Sequence, residues 1–120
     1  MKRAFLIGLL ALALSSCSTP QGARRTFTGV WEWSFETSSF RTDRGVGPYW
    51  LTAEGDNWEQ LVQPLRASGQ GPWGKVAVVV EGDLSAPGQY GHLGAYSHQL
   101  RVTRVIEARL ISSSGPPPGS

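Results

Sequence analysis

A chain of 120 residues with 11 Lys and Arg against 9 Asp and Glu holds one domain's worth of sequence and no large surplus of charge. Two of the basic residues, Lys2 and Arg3, fall in a leader-like opening, and the rest of the chain balances nine against nine. That balance argues against the basic surface a nucleic-acid binder needs, and a single cysteine rules out an intrachain disulfide.

Met1-Lys2-Arg3 is a basic n-region, residues 4–14 are an apolar h-region, and Ser15-Ser16 lead into Cys17. The apolar run is too short to span a bilayer, which takes about 20 residues. Leu14-Ser15-Ser16-Cys17 resembles a bacterial lipobox. This resemblance implies cleavage before Cys17, a diacylglyceryl thioether on its sulfur and acylation of the new amine. Cysteine suits that role because its thiolate is a strong nucleophile. An ordinary secretory signal with a chance cysteine, or a buried core thiol, are the plainer alternatives. The expected organisation is a signal peptide over 1–16, a lipidated cysteine and tether over 17–25, a folded domain over 26–111 and a disordered Pro/Gly/Ser tail over 112–120. Eight extended tether residues reach on the order of 26 Å, so the domain must sit close to the headgroups. Arg24 and Arg25 then lie within reach of lipid phosphates, or are incidental charges on a solvated linker.

From Thr26 the pattern alternates strictly. Phe27, Gly29, Trp31, Trp33 and Phe35 share one face of a long strand, and Thr28, Glu32, Ser34 and Glu36 share the other. Gly29 predicts a bend or bulge. The aromatic stripe is able to stack a ligand or fill a core, and the shortage of other large side chains favours the core. Residues 38–42 read as a second strand, 43–48 as a turn and 49–53 as a third strand. Asp56 and Glu59 fit a capping box, with Trp58, Leu61, Val62 and Leu65 at helical spacing and a kink or early stop expected at Pro64. Residues 75–84 form a β-branched strand, 85–97 a Gly/Pro-rich loop, and 100–111 a last strand with Val102, Ile106, Ala108 and Leu110 inward. Arg104 breaks that alternation, which calls for a bulge or a place at a rim.

Strand, strand, strand, short helix, strand, strand is the order of a mainly β, five-stranded OB-fold-like barrel with its helix between strands 3 and 4. A lipocalin-like meander with too few strands and an open α+β roll are the alternatives. Gly29-Val30-Trp31, the segment 35–40, Tyr49-Trp50-Leu51, Val80-Glu81-Gly82 and Gly88-Gln89-Tyr90-Gly91-His92-Leu93-Gly94 resemble the small OB-domain lipoproteins of Gram-negative bacteria, including NlpE-type C-terminal OB domains. The likeness covers most of residues 29–107. Relatives often carry a cysteine where this chain has Arg41-Thr42-Asp43, and it contains no Cys-x-x-Cys, so neither copper handling nor stress signalling is carried over. Ser18 after the acylated cysteine implies sorting to the outer membrane, facing the periplasm.

Chemistry-bearing motifs are few. His92 and His98 are too few for a metal site once Cys17 is lipidated, and no cofactor is expected. Ser97, His98 and Asp83 make a triad only on paper, and residues 69–74 lack the Lys-Ser/Thr of a phosphate loop. The expectation is a non-enzymatic, lipid-anchored binding or protein-interaction module, with a structural or accessory lipoprotein as the alternative. Its partners would be membrane lipid through Cys17 and an envelope protein or glycan, not nucleic acid. Tyr90, His92 and Tyr96 form the candidate binding loop, or pin that loop structurally, and Tyr49, Trp50 and Trp73 form the candidate aromatic surface. Replacing Cys17 with Ala is expected to release the protein from the membrane fraction or leave it unprocessed, and unchanged fractionation would contradict lipidation.

Overall fold

The computed structural model describes residues 24–114. The leader, Cys17 and most of the tether lie outside the described residues, as do residues 115–120. The order is β1 (Arg25–Ser34), β2 (Thr37–Thr42), β3 (Tyr49–Thr52), α1 (Gly55–Ser68), β4 (Trp73–Leu84) and β5 (Gln99–Ser114). The strands close in the order β1-β2-β3-β5-β4, with β4 returning to β1. Every pairing is antiparallel except β3 with β5. This is the five-stranded, OB-fold-like barrel with one helix between strands 3 and 4, and closure leaves few free edges to protect.

β1 pairs with β2 on one side and β4 on the other, so its inward row is the spine of the core. Phe27, Gly29 and Trp31 are buried, and Trp33 packs against the same cluster. Phe35 leaves the row. β1 ends at Ser34, and Phe35 and Glu36 make a two-residue turn in which Glu36 has φ 58°, leaving Phe35 69% exposed. Gly29 sits where β1 and β2 approach most closely. A Cβ there would run into the carbonyl oxygen of Arg41, so only glycine lets β1 coil between both partners.

The helix runs through Pro64 to Ser68 and ends on Gly69 at φ 69°. The early stop expected at Pro64 is therefore corrected. Leu61, Val62 and Leu65 on either side of the proline are buried in the barrel, and their burial outweighs the lost backbone bond. The expected capping box is corrected too. The helix starts at Gly55 with Glu54 in the cap position and no side-chain cap bond, so Asp56 falls in the first turn, where its charge suits the helix dipole.

β5 departs most from strict alternation. Its pairing with β4 steps past Thr103, Ile106 and Ile111 in turn. Leu100 and Val102 are buried, the first shift places Val105 against the core and Arg104 outside, and the second leaves Ile106 46% exposed while Ala108 packs inward. Ile106 is thus not an inner residue. Leu110 lies opposite buried Val76 yet is itself exposed. The strand also outlasts its expected end. Ser112, Ser113 and Ser114 pair with Lys75, Gly74 and Trp73, because partnering β4 satisfies their backbone whatever their side chains.

Gly29→Ala is expected to lower stability by roughly 1–3 kcal/mol, the range for forcing atoms into a filled space. Urea unfolding checks it, and an unchanged midpoint would mean β1 and β2 are free to move apart.

Candidate functional site

The interior explains where the site lies. Trp31 is fully buried, and its Nε1–H donates to Ser38 Oγ at 2.9 Å, which in turn donates to the Leu51 carbonyl at 2.7 Å. Trp33 stacks on Trp31 with ring centroids 5.8 Å apart, and Trp58 of α1 stands edge-on to both, 5.5 Å from Trp31 and 4.8 Å from Trp33. Beside this cluster the barrel end and the start of α1 line an open, groove-like cavity of about 670 Å³. Trp33, Trp50 and Trp58 line it, and Glu54, Asp56 and Glu59 carry its charge.

Glu59 is bonded to Arg66 two turns along the helix. That hydrogen bond, then the Arg66 charge, holds its carboxyl below the usual glutamate range. Glu54 and Asp56 form no ion pair among the described residues, so the rim keeps a net negative charge. An apolar, aromatic cavity with convergent carboxylates suits a ligand that is apolar in body and cationic or hydrogen-bond-donating at its tip.

The loop between β4 and β5 folds over the outer face of β3. Tyr90 and Tyr96 bridge through their backbones, the Tyr90 hydroxyl donates to the Ala86 carbonyl at 2.9 Å, and the Tyr96 ring stands edge-on to Trp50 at 5.1 Å. Gly91, at φ 72°, lies so close to the Trp50 indole that a Cβ would collide with it. His92 Nε2 meets Glu36 Oε1 at 3.2 Å, joining this loop to the β1–β2 turn. Tyr90, His92 and Tyr96 are thus brought together, but each holds the loop's shape. What they present is Leu93, 89% exposed, next in sequence to His92 as Phe35 is to Glu36.

The candidate aromatic surface is not one patch. Tyr49 turns inward with Leu51 and packs on Phe27 and Phe40, with His98 at its edge. Trp50 turns outward to the loop and the cavity. Trp73, half-buried, opens β4 opposite Ser114 and makes no ring contact with either. The alternation of β1 marks Trp33 and Phe35 as part of an aromatic stripe able to stack a ligand. Leu93 carries no functional signal of its own, and the one signal at Trp58 is the Glu54, Asp56 and Glu59 cluster around it, which reads equally well as a helix start.

Among the described residues no group of three His, Cys, Asp or Glu is placed to hold a metal, and no helix is long and apolar enough to cross a membrane. Ser97 Oγ lies 3.0 Å from His98 Nδ1, but Asp83 is bonded to Arg101 at 2.9 Å, so the paper triad does not assemble.

Arg66→Gln is expected to raise the Glu59 titration midpoint toward an ordinary glutamate. Its pKa is depressed in the folded chain, so whatever stability the pair gives is present above the unfolded glutamate pKa and lost as pH falls through the folded value. Carboxyl NMR titration of both proteins checks this. Gly91→Ala is expected to lift the loop from Trp50, seen as loss of the Trp50 to Tyr96 proximity in NMR.

No protein-family model, no curated protein and no solved structure matches this chain.

Proposed function

We propose that this chain is a lipid-anchored envelope protein of the small OB-domain lipoprotein kind, acting as a non-enzymatic protein-interaction module. Cys17 carries the anchor, and the domain faces the periplasm from the outer membrane. The observation that carries the interaction reading is the indole-lined groove with its acidic rim. Phe35 and Leu93 add exposed apolar side chains on the β1–β2 turn and the β4–β5 loop, which the Glu36–His92 pair joins, and exposed apolar groups with polar edges are the usual mark of a protein contact. The rim selects a partner segment that places a Lys or Arg beside an apolar side chain, since indole faces and carboxylates both favour a cation. The absence of a basic surplus after Arg3, where nine basic residues balance nine acidic ones, and the carboxylates on this face disfavour single-stranded nucleic acid, which needs a positive groove.

A photo-crosslinking residue in place of Phe35, in cells producing the full chain, is expected to give a discrete protein adduct. Leu93→Asp or Trp58→Ala is expected to weaken it roughly tenfold, as loss of a central anchor does. An adduct destroyed by a glycan hydrolase but not by a protease would move the ligand class to glycan. Absence of any adduct at position 35 would favour the structural or accessory alternative, which the self-packed Tyr90 to Tyr96 loop also suits.

A further inference from the structure

The barrel has two electrically different ends. β1 starts at the tether with Arg25 and finishes beside the cavity with Trp33, a run of about 26 Å. At the tether end Arg25 shares a groove with Arg44 and Val46 of the β2–β3 loop, while Arg41 lies at the end of β2. Arg41 donates to the carbonyls of Gly45 and Gly47 at 3.2 and 3.1 Å, and Arg25 lies over the Phe27 ring at 5.0 Å, so neither charge is cancelled. Arg25, Arg41 and Arg44 form no ion pair among the described residues, and Asp43 is the single carboxylate in that groove. Arg101 and Arg104 flank this end but are matched by Asp83 and Glu81. Val46, 49% exposed, stands at the tip of the same loop. Beyond Trp33 the cavity rim carries Glu54, Asp56 and Glu59, of which only Glu59 is paired, with Arg66. Glu36 stands on the turn after β1, and Lys75 lies opposite Glu32, so this side carries an excess of the opposite sign.

We propose that the Arg25, Arg41 and Arg44 end of the barrel lies against an anionic phospholipid surface, with Val46 at the headgroup boundary and the indole cavity turned away from the membrane. The proposal rests on the lipid-anchor reading, which brings this end to the bilayer. The described residues begin at this end, at Arg24 and Arg25, and arginine charges with an exposed apolar tip complement an anionic interface. The dipole of the barrel acts in the same sense. Anionic lipid attracts the arginine end and repels the carboxylate end, so the two forces turn the domain the same way.

The test uses the full acylated chain reconstituted into vesicles. With Cys17 acylated, a cysteine introduced by Val46→Cys or Ser113→Cys is the only thiol and takes a donor dye alone. Vesicles of phosphatidylcholine, with or without one-third phosphatidylglycerol, carry an acceptor on the headgroups. On anionic vesicles, energy transfer from position 46 is expected to exceed that from position 113 severalfold. That difference should shrink on neutral vesicles and in 1 M salt, where screening acts within about 3 Å. It should also shrink in the triple Arg25→Gln, Arg41→Gln, Arg44→Gln variant and survive in the matching triple Lys variant. Equal transfer from the two positions on anionic vesicles, or a difference unaltered by the Gln variant, would overturn the orientation while leaving the anchor intact. A wild-type chain whose Cys17 takes the dye would overturn the anchor and the orientation with it.

Discussion

The relay from the Trp31 indole to Ser38 Oγ and on to the Leu51 carbonyl ties three successive strands together inside the core. A large side chain with one polar atom is costly to bury unless that atom finds a partner, and Ser38 is the one buried polar residue in the described core. Everything around the cavity depends on this placement. With Trp31 fixed, Trp33 stacks along its outer side, Trp58 closes on both from the helix, and Leu61 and Leu65 seal the barrel end. The cavity is what remains between that cluster and the rim of β3.

Much of the fold was legible because alternation reports burial wherever a strand stays in register. Phe27 and Trp31 of β1 are buried as their spacing predicts, and Leu61, Val62 and Leu65 line one face of α1. The valine run of β4 reads as burial on both faces, but only Val76, Val78 and Val80 are buried and Val79 on the other face is half-exposed. The misreadings cluster where the backbone breaks that rule. Three register shifts in β5 put Ile106 outside and Val105 inside, and no residue pattern fixes a bulge without knowing the strand opposite. Phe35 continues the alternation of β1 in sequence but belongs to the turn. Pro64 weighed against the helix locally, whereas the packing around it is tertiary.

The site was less legible for a related reason. Its parts come from β1, β2, β3 and α1, and only ring closure brings Trp33, Trp50 and Trp58 to one cavity. Tyr90, His92 and Tyr96 drew notice because aromatic residues between glycines suggest presentation. In the fold the Tyr96 ring meets Trp50, His92 meets Glu36, and Leu93 between them is the most exposed of these loop residues. The same geometry gives the domain a direction. Arg25 and Arg44 line a groove at the start of β1, and the cavity with its carboxylates opens beside Trp33 at the other end of that strand.

If the buried relay organises the cavity, breaking it must reach both stability and the indoles. Ser38→Ala leaves the Trp31 donor buried without a partner, and the measurement is urea unfolding combined with hydrogen exchange at the Trp31 indole. A loss of about 1–3 kcal/mol, with faster exchange of that proton and shifted Trp33 and Trp58 resonances, is the predicted result. A variant as stable as the original, with the Trp31 proton equally protected, would contradict the account.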